Sequence, residues 1–231
     1  LHVQPIEPAR AGTLGGPAME VFVRLHDDGQ PVAPAEFFPA AERYRLMSLI
    51  DRWVLRSALG ALAAGAIRVP PGRSLSINVS GQTLADPTFL EFVVEELDRT
   101  AVTPQQVCFE VAETSVIGNI EQARRFIDVL HGMGCRFALD NFGTDLGGFA
   151  NLRQLPMDYL KIDGAFMRNL ARDSVNQAMI SAIVSMARTL NFRLIAEQVE
   201  DQPALEAARA MGIDFVQGHA IGRPRPLAPA A

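Results

Sequence analysis

Short β-type runs alternate with amphipathic helical patterns along almost the whole chain, and this alternation restricts the fold more than any other feature. The strand candidates are Val3–Ile6, Met19–Leu25, Ser74–Val79, Val107–Ala112, Arg136–Asp140, Tyr159–Ile162, Arg193–Ala196 and Phe215–Gln217. Between most of them lie segments with apolar residues at three- and four-residue spacing: LIDRWVLRSALGALAA, PTFLEFVVEELDRT, IEQARRFIDVLHGM, SVNQAMISAIVSMARTL and QPALEAARAMG. That period predicts helices. Gly132 and Gly134, Asn191 and Gly212 sit where helix C-caps belong. Strand–helix alternation within one domain leaves an open doubly wound sheet or a (β/α)8 barrel of TIM type. Eight strands in 231 residues favour the barrel.

Composition removes several alternatives. A chain that is 48% hydrophobic and 20% charged has ample core for one large domain. A net charge of −5 gives no basic footprint for polymeric nucleic acid. No apolar run reaches the roughly 18 residues of a membrane span, and the expected location is cytoplasmic. The chain begins LHVQPI, without an initiator Met, and reads as one domain, 1–231, excised from a longer protein. Cys108 and Cys135 sit in apolar runs and read as buried thiols, not as a disulfide framework.

Polar residues at strand ends decide between the two architectures. Glu20 lies within the second strand, with Arg24 nearer its end; the third closes on Asn78. The fourth carries Glu110, followed by Glu113. The fifth ends on Asp140 and Asn141, and the sixth holds Lys161 and Asp163. Glu197 and Gln217 end the last two. A carboxylate inside an apolar strand is expensive to bury unless paired or bound to metal, and a single one is ordinarily structural. Recurrence on strand after strand is different, because strand ends of one polarity converge on one rim of a barrel, where catalytic sites lie. Glu, Asp and Asn are hard oxygen donors suited to Mg2+, Mn2+ or Ca2+. His2, His26, His131 and His219 have no zinc spacing, and GTDLGG at 143–148 lacks the Lys-Ser/Thr ending of a nucleotide P-loop. Carboxylates with one lysine and one arginine are the parts that metal-assisted phosphodiester cleavage requires. In such a site Lys161 orients the water and Arg24 holds a phosphate oxygen.

At these residues the sequence resembles the EAL domain family, the cyclic di-GMP phosphodiesterases. The resemblance runs through QPI at 4–6, FFPAAERYRLMSLIDRWVL at 37–55, INVSGQTLADPTFL at 77–90 and CFEVAET at 108–114. It continues through DNFGTDLGGF at 140–149, LPMDYLKIDGAFMRNL at 155–170, IAEQVE at 195–200 and QGHAIGRPRPL at 217–227. It implies a barrel with a reversed first strand that binds cyclic di-GMP at its C-terminal rim, with Mg2+ or Mn2+ as cofactor. Glu20, Asn78, Glu110 and Asp140 match the ligands of a first metal, Asp140 being shared with a second at which Asn141 also stands. Lys161, Glu197 and Gln217 resemble the residues around the attacking water and the second metal. Glu113 resembles the glutamate that steadies the loop after the Arg136–Asp140 strand. Gln4, Phe22 and Arg24 match ligand-contacting positions.

The sequence also departs from the family pattern. EVF stands for Glu-Ala-Leu, Gln198 for a glycine, and Asn141 for the second aspartate of active members. The loop usually written GTGYSSL is GTDLGGF, with Asp145 at a glycine. Asn141 removes a negative charge from the second metal site, and loss of even a supporting partner costs such sites about 10–100-fold. The leading expectation is therefore a cyclic di-GMP receptor with weak or lost hydrolysis. The alternatives are an active phosphodiesterase giving linear pGpG, and a protein-interaction module that ignores nucleotide. A homodimer, through faces such as RRFIDVL, and a signalling partner protein are the further expectations.

Overall fold

The structure, a computed structural model, describes residues 1–118, 120–143 and 155–227. Its strands are β1 (His2–Pro8), β2 (Pro17–Phe22), β3 (Leu25–Asp27), β4 (Gln30–Val32), β5 (Ser74–Val79), β6 (Val107–Ala112), β7 (Arg136–Phe142), β8 (Tyr159–Ile162), β9 (Arg193–Ala196), β10 (Phe215–Gln217) and β11 (Arg225–Pro226). The helices are α1 (Pro34–Arg43), α2 (Met47–Ala63), α3 (Gly81–Leu84), α4 (Phe89–Thr100), α5 (Glu113–Gly118), α6 (Ile120–Met133), α7 (Ser174–Leu190) and α8 (Gln202–Met211). Eight strands run in the order β10-β9-β8-β7-β6-β5-β2-β1, and pairing of β1 with β10 closes the barrel.

All neighbours in the barrel are parallel except β1, which is antiparallel to both β2 and β10. The cause is local. Only residues 9–16 join β1 to β2, too few for the crossover that a parallel pair needs. That turn ends on Gly16 at φ 82, where a Cβ would lie 2.1 Å from the Phe215 ring. Glycine there lets the β10 aromatic fill the bottom of the barrel.

Strand alternation sorts the core into two compartments. Leu75, Ile77, Phe109, Val111, Phe137, Leu139, Leu160 and Val216 face outward and join the apolar stripes of the helices. Ile6, Cys108, Ala138, Tyr159, Ile195 and Phe215 form a separate cluster inside the barrel. Both cysteines are buried and free. The inward residues one step further along each strand are the polar ones.

The strand expected over Met19–Leu25 is two elements. β2 stops at Phe22, and Leu25–Asp27 pairs with Gln30–Val32 as a separate hairpin. Gly134, Asn191 and Gly212 do end helices at positive φ, but Gly132 lies inside α6. The expected loop at 143–149, with Asp145, falls outside the described residues after Gly143. Among the described residues no helix is long and apolar enough to cross a membrane.

Candidate active site

The inward strand ends meet at the C-terminal rim, around Lys161. Its ammonium donates to Glu20 Oε2 at 2.9 Å, to Glu110 Oε2 at 2.5 Å and lies 2.8 Å from Glu197 Oε1. Asp140 Oδ1 is 3.7 Å away. Asn78 Nδ2 donates to the other oxygen of Glu20, Oε1, at 2.7 Å, and Gln217 Nε2 donates to Oε2 beside the ammonium, at 2.9 Å. Gln4 completes this layer by donating to the Gly222 carbonyl, with its Oε1 3.4 Å from Gln217 Nε2. Glu20, Asn78, Glu110, Asp140, Lys161, Glu197, Gln217 and Gln4 thus come together, although they are drawn from all eight barrel strands and the residues that follow them.

Asp140 and Asn141 depend on an irregularity. The β7–β8 register shifts between Leu139 and Phe142, and Asn141 takes φ 56. Asparagine tolerates the left-handed region better than most residues. The bulge turns the Asn141 amide back on its neighbour, Nδ2 donating to Asp140 Oδ2 at 3.1 Å. Glu113, at the start of α5, accepts from the Gly143 N–H at 3.4 Å and so touches the start of the loop it was expected to steady.

One ammonium cannot neutralise four carboxylates, and the titration of the cluster follows from that. Burial alone would raise Glu20, but Lys161, Asn78 and Gln217 outweigh it and hold its carboxyl down. Burial and the nearby Glu20 push Glu110 well up. Burial likewise lifts Glu197 to about 8, against the pull of Lys161. Desolvation would lower Lys161, yet its acidic neighbours carry it well above the usual lysine value. In the absence of further cations, then, Glu110 and Glu197 are the two carboxyls of the rim whose neutral form is favoured.

The EAL domain family model matches residues 1–224, across every strand that feeds this rim. The chain belongs to the EAL domain family. It is 37% identical over 229 residues to cyclic di-GMP phosphodiesterase PdeB of Shewanella oneidensis, covering 99% of this chain and 26% of that protein. It is 33% identical over 228 residues to cyclic di-GMP phosphodiesterase PdeF of Escherichia coli, covering 98% and 30%. The chain thus spans less than a third of either relative. Among solved structures, a PaMucR phosphodiesterase in complex with c-di-GMP superposes with TM-score 0.88 at 30% identity, covering 98% of this chain and 91% of that one. The FimX EAL domain of Xanthomonas citri in complex with c-diGMP superposes at 0.87 and 26% identity, covering 98% and 88%.

In this EAL domain the donor set can be tested against a divalent cation. Among the described residues no three Asp, Glu, His or Cys side chains are arranged to hold a metal ion, because the Lys161 ammonium occupies their common centre. The chemistry nonetheless fits. Glu110 Oε1 and Asp140 Oδ1 are buried oxygens without a hydrogen-bond partner. Asn78 spends its N–H on Glu20 and keeps its Oδ1 as an acceptor. These are hard oxygen donors in a site short of positive charge.

A cavity of about 670 Å³ opens above the rim, walled by Phe22, Phe38, Met47 and Ile50 as well as by Glu20, Asn78, Asp140 and Asn141. Arg24 lines it, but its guanidinium donates to the Val23 carbonyl at 2.8 Å and lies 5.5 Å from the centre of the Phe22 ring. A comparable cavity, about 720 Å³, lies at the opposite mouth of the barrel. There Asp158 is already occupied by Arg136 and the Phe137 N–H, so it gathers no comparable set of oxygen donors. Two features of the rim escaped the reading of strand ends. Lys161 is the only lysine in the chain, which a residue count reveals. Gln198 lines the same cavity from a left-handed backbone, which is signalled by the glycine it replaces in the family pattern and not by strand periodicity.

Proposed function

We propose that the rim binds cyclic di-GMP and that this domain serves as a signalling receptor with weak or lost phosphodiesterase activity. The observation that carries the reading is the Asn141 amide bonded to Asp140 Oδ2. An aspartate at 141 would add a second negative charge beside Asp140, which a second cation would be needed to offset. Asparagine contributes one amide oxygen and uses its N–H to bond Asp140 Oδ2 without a metal. Binding has support of its own: Phe22 and Arg24 border a cavity of nucleotide size, and structural neighbours are named as c-di-GMP complexes.

Mg2+ or Mn2+ would be held by Glu20, Asn78, Glu110 and Asp140, with Asn141 as the weak member. Bound there, divalent cations supply Lewis acidity and an acidified water for phosphodiester cleavage. Lys161 holds Glu197 in place through Oε1 at 2.8 Å; with cations bound to lower its affinity for protons, the Glu197 carboxylate would take a proton from water.

The second reading, an active phosphodiesterase, is favoured by the remaining constellation and by the names of the relatives at 37% and 33% identity. Chromatography of cyclic di-GMP and pGpG, with excess Mg2+ or Mn2+, separates the two. Little turnover by the wild type and a gain of at least about tenfold in Asn141→Asp support the receptor reading. Turnover by the wild type at an ordinary enzymatic rate, roughly 1 s⁻¹ or more, would sink it.

A further inference from the structure

We propose that Gln198 contacts the bound nucleotide directly, its carboxamide meeting the edge of a nucleobase. The inference rests on the cyclic di-GMP reading and adds to it a residue that sets which base is accepted.

Gln198 follows Glu197 at the end of β9 and has φ 50. A side chain with a Cβ is disfavoured there, so a purely structural position would be served better by glycine. Its side chain is laid over Gly164, in the segment after β8. A Cβ on Gly164 would fall 2.3 Å from Gln198 Cδ and 2.5 Å from its Oε1. Glycine at 164 therefore leaves the room in which the glutamine lies across the rim. So placed, the carboxamide is exposed and makes no hydrogen bond among the described residues.

What it borders gives it a use. Phe22, Glu197 and Gln198 are shared between the 670 Å³ rim cavity and an adjoining one of about 200 Å³ lined by Gln4, Gln217, Gly218 and His219. These three side chains form the wall between the chambers. A carboxamide presents an acceptor and two donors in one plane, which matches the mixed edge of a purine; a phosphate would use the donors alone. Phe22 beside it offers a stacking face. Strain held at a binding surface, with an unused hydrogen-bonding group projecting into it, is the pattern expected of a ligand contact.

The experiment is calorimetric titration of the protein with cyclic di-GMP and with cyclic di-AMP, for the wild type, Gln198→Gly and Gln198→Ala, with a thermal melt of each. Alanine keeps the strained backbone and loses the amide; glycine loses both. The expected result is a Kd for cyclic di-GMP raised about 2- to 10-fold in both variants, the loss of one or two neutral hydrogen bonds. The preference for guanine over adenine should narrow, while Gln198→Gly melts no lower than the wild type. Unchanged affinity and base preference in both variants would overturn the inference and leave the cyclic di-GMP reading standing. A wild type that does not bind cyclic di-GMP would overturn that reading, and the inference with it.

Discussion

Lys161 is the one lysine among 21 basic residues; the rest are arginine. Its surroundings explain the exception. The ammonium is a compact charge with three donors, and it meets Glu20, Glu110 and Glu197 from a fully buried position. A planar guanidinium needs a wider fork than this layer offers. Lys161→Met should therefore cost about 3–5 kcal/mol at neutral pH, since it leaves buried carboxylates uncompensated. The urea midpoint measures it. The pH dependence has a definite sign. Burial already holds Glu197 near 8, above its ordinary 4.5. A carboxyl raised on folding stabilises below its ordinary value, and that contribution fades as pH rises through the folded value. Lys161 is also what holds Glu20 below its ordinary 4.5 against burial. Without it the folded variant keeps a proton on Glu20 that the wild type has lost. The deficit should therefore widen between about pH 5 and 8 through Glu20, and Glu197 adds to it only above about pH 8. A deficit equal at both ends would mean that Lys161 contributes by packing alone.

Among the elements, α2 and α4 are clipped together by charge as well as by apolar contact. Asp86, just before α4, accepts from Arg52 at 2.9 Å and Ser48 at 2.7 Å, both on α2, and from the Thr88 hydroxyl at 2.7 Å. Burial alone would raise its carboxyl, but Arg52, Thr88 and Ser48 hold it well below the usual range. Asp86→Asn should destabilise by about 1–2 kcal/mol at neutral pH, from hydrogen bonds to a charged group. A depressed carboxyl stabilises above its ordinary value and loses that contribution in acid. The gap from the wild type should thus close as pH falls below about 4; a gap that persists in acid would count against the ionic clip. Five helices, α2, α4, α6, α7 and α8, were legible because each keeps a clear apolar period, and α6 and α7 fall on the predicted residues, whereas α1, α3 and α5 were not foreseen. The β3–β4 hairpin was not. Its strands are three residues long and mostly exposed, so no alternation marks them. The one signal was Asp28-Gly29, both at positive φ in the two-residue turn. At the rim, strand ends announced the members of the site but not their partners. Lys161 and Glu20 are 141 residues apart, and only the closed barrel pairs them.

The whole molecule is a closed wall between two apolar compartments, one outside the strands and a small one within. The inner cluster is a plug, and it separates the polar rim from the cavity at the opposite mouth. Phe215 is its centre: its ring meets Tyr159 edge-on at 6.1 Å, carries the Arg193 guanidinium at 4.4 Å and fills the space above Gly16. None of these neighbours can close the gap if the ring is removed, because Gly16 has no side chain and Tyr159 is anchored in β8. Phe215→Ala should therefore cost about 3–5 kcal/mol, the usual range for an aromatic deleted from a core that cannot collapse. In urea this appears as a lower midpoint with an unchanged m-value, since the surface exposed on unfolding is nearly the same. The rim should respond far less. Its polar layer is held by its own bonds, Lys161 to three carboxylates and Glu20 to Asn78 and Gln217, one step above the plug. Measured at a temperature where both proteins are folded, the Kd for cyclic di-GMP should move by less than about threefold, under 1 kcal/mol. A tenfold loss of affinity would mean that the plug positions the rim as well as sealing the barrel, with β10 as the element that carries the change from Phe215 to Gln217.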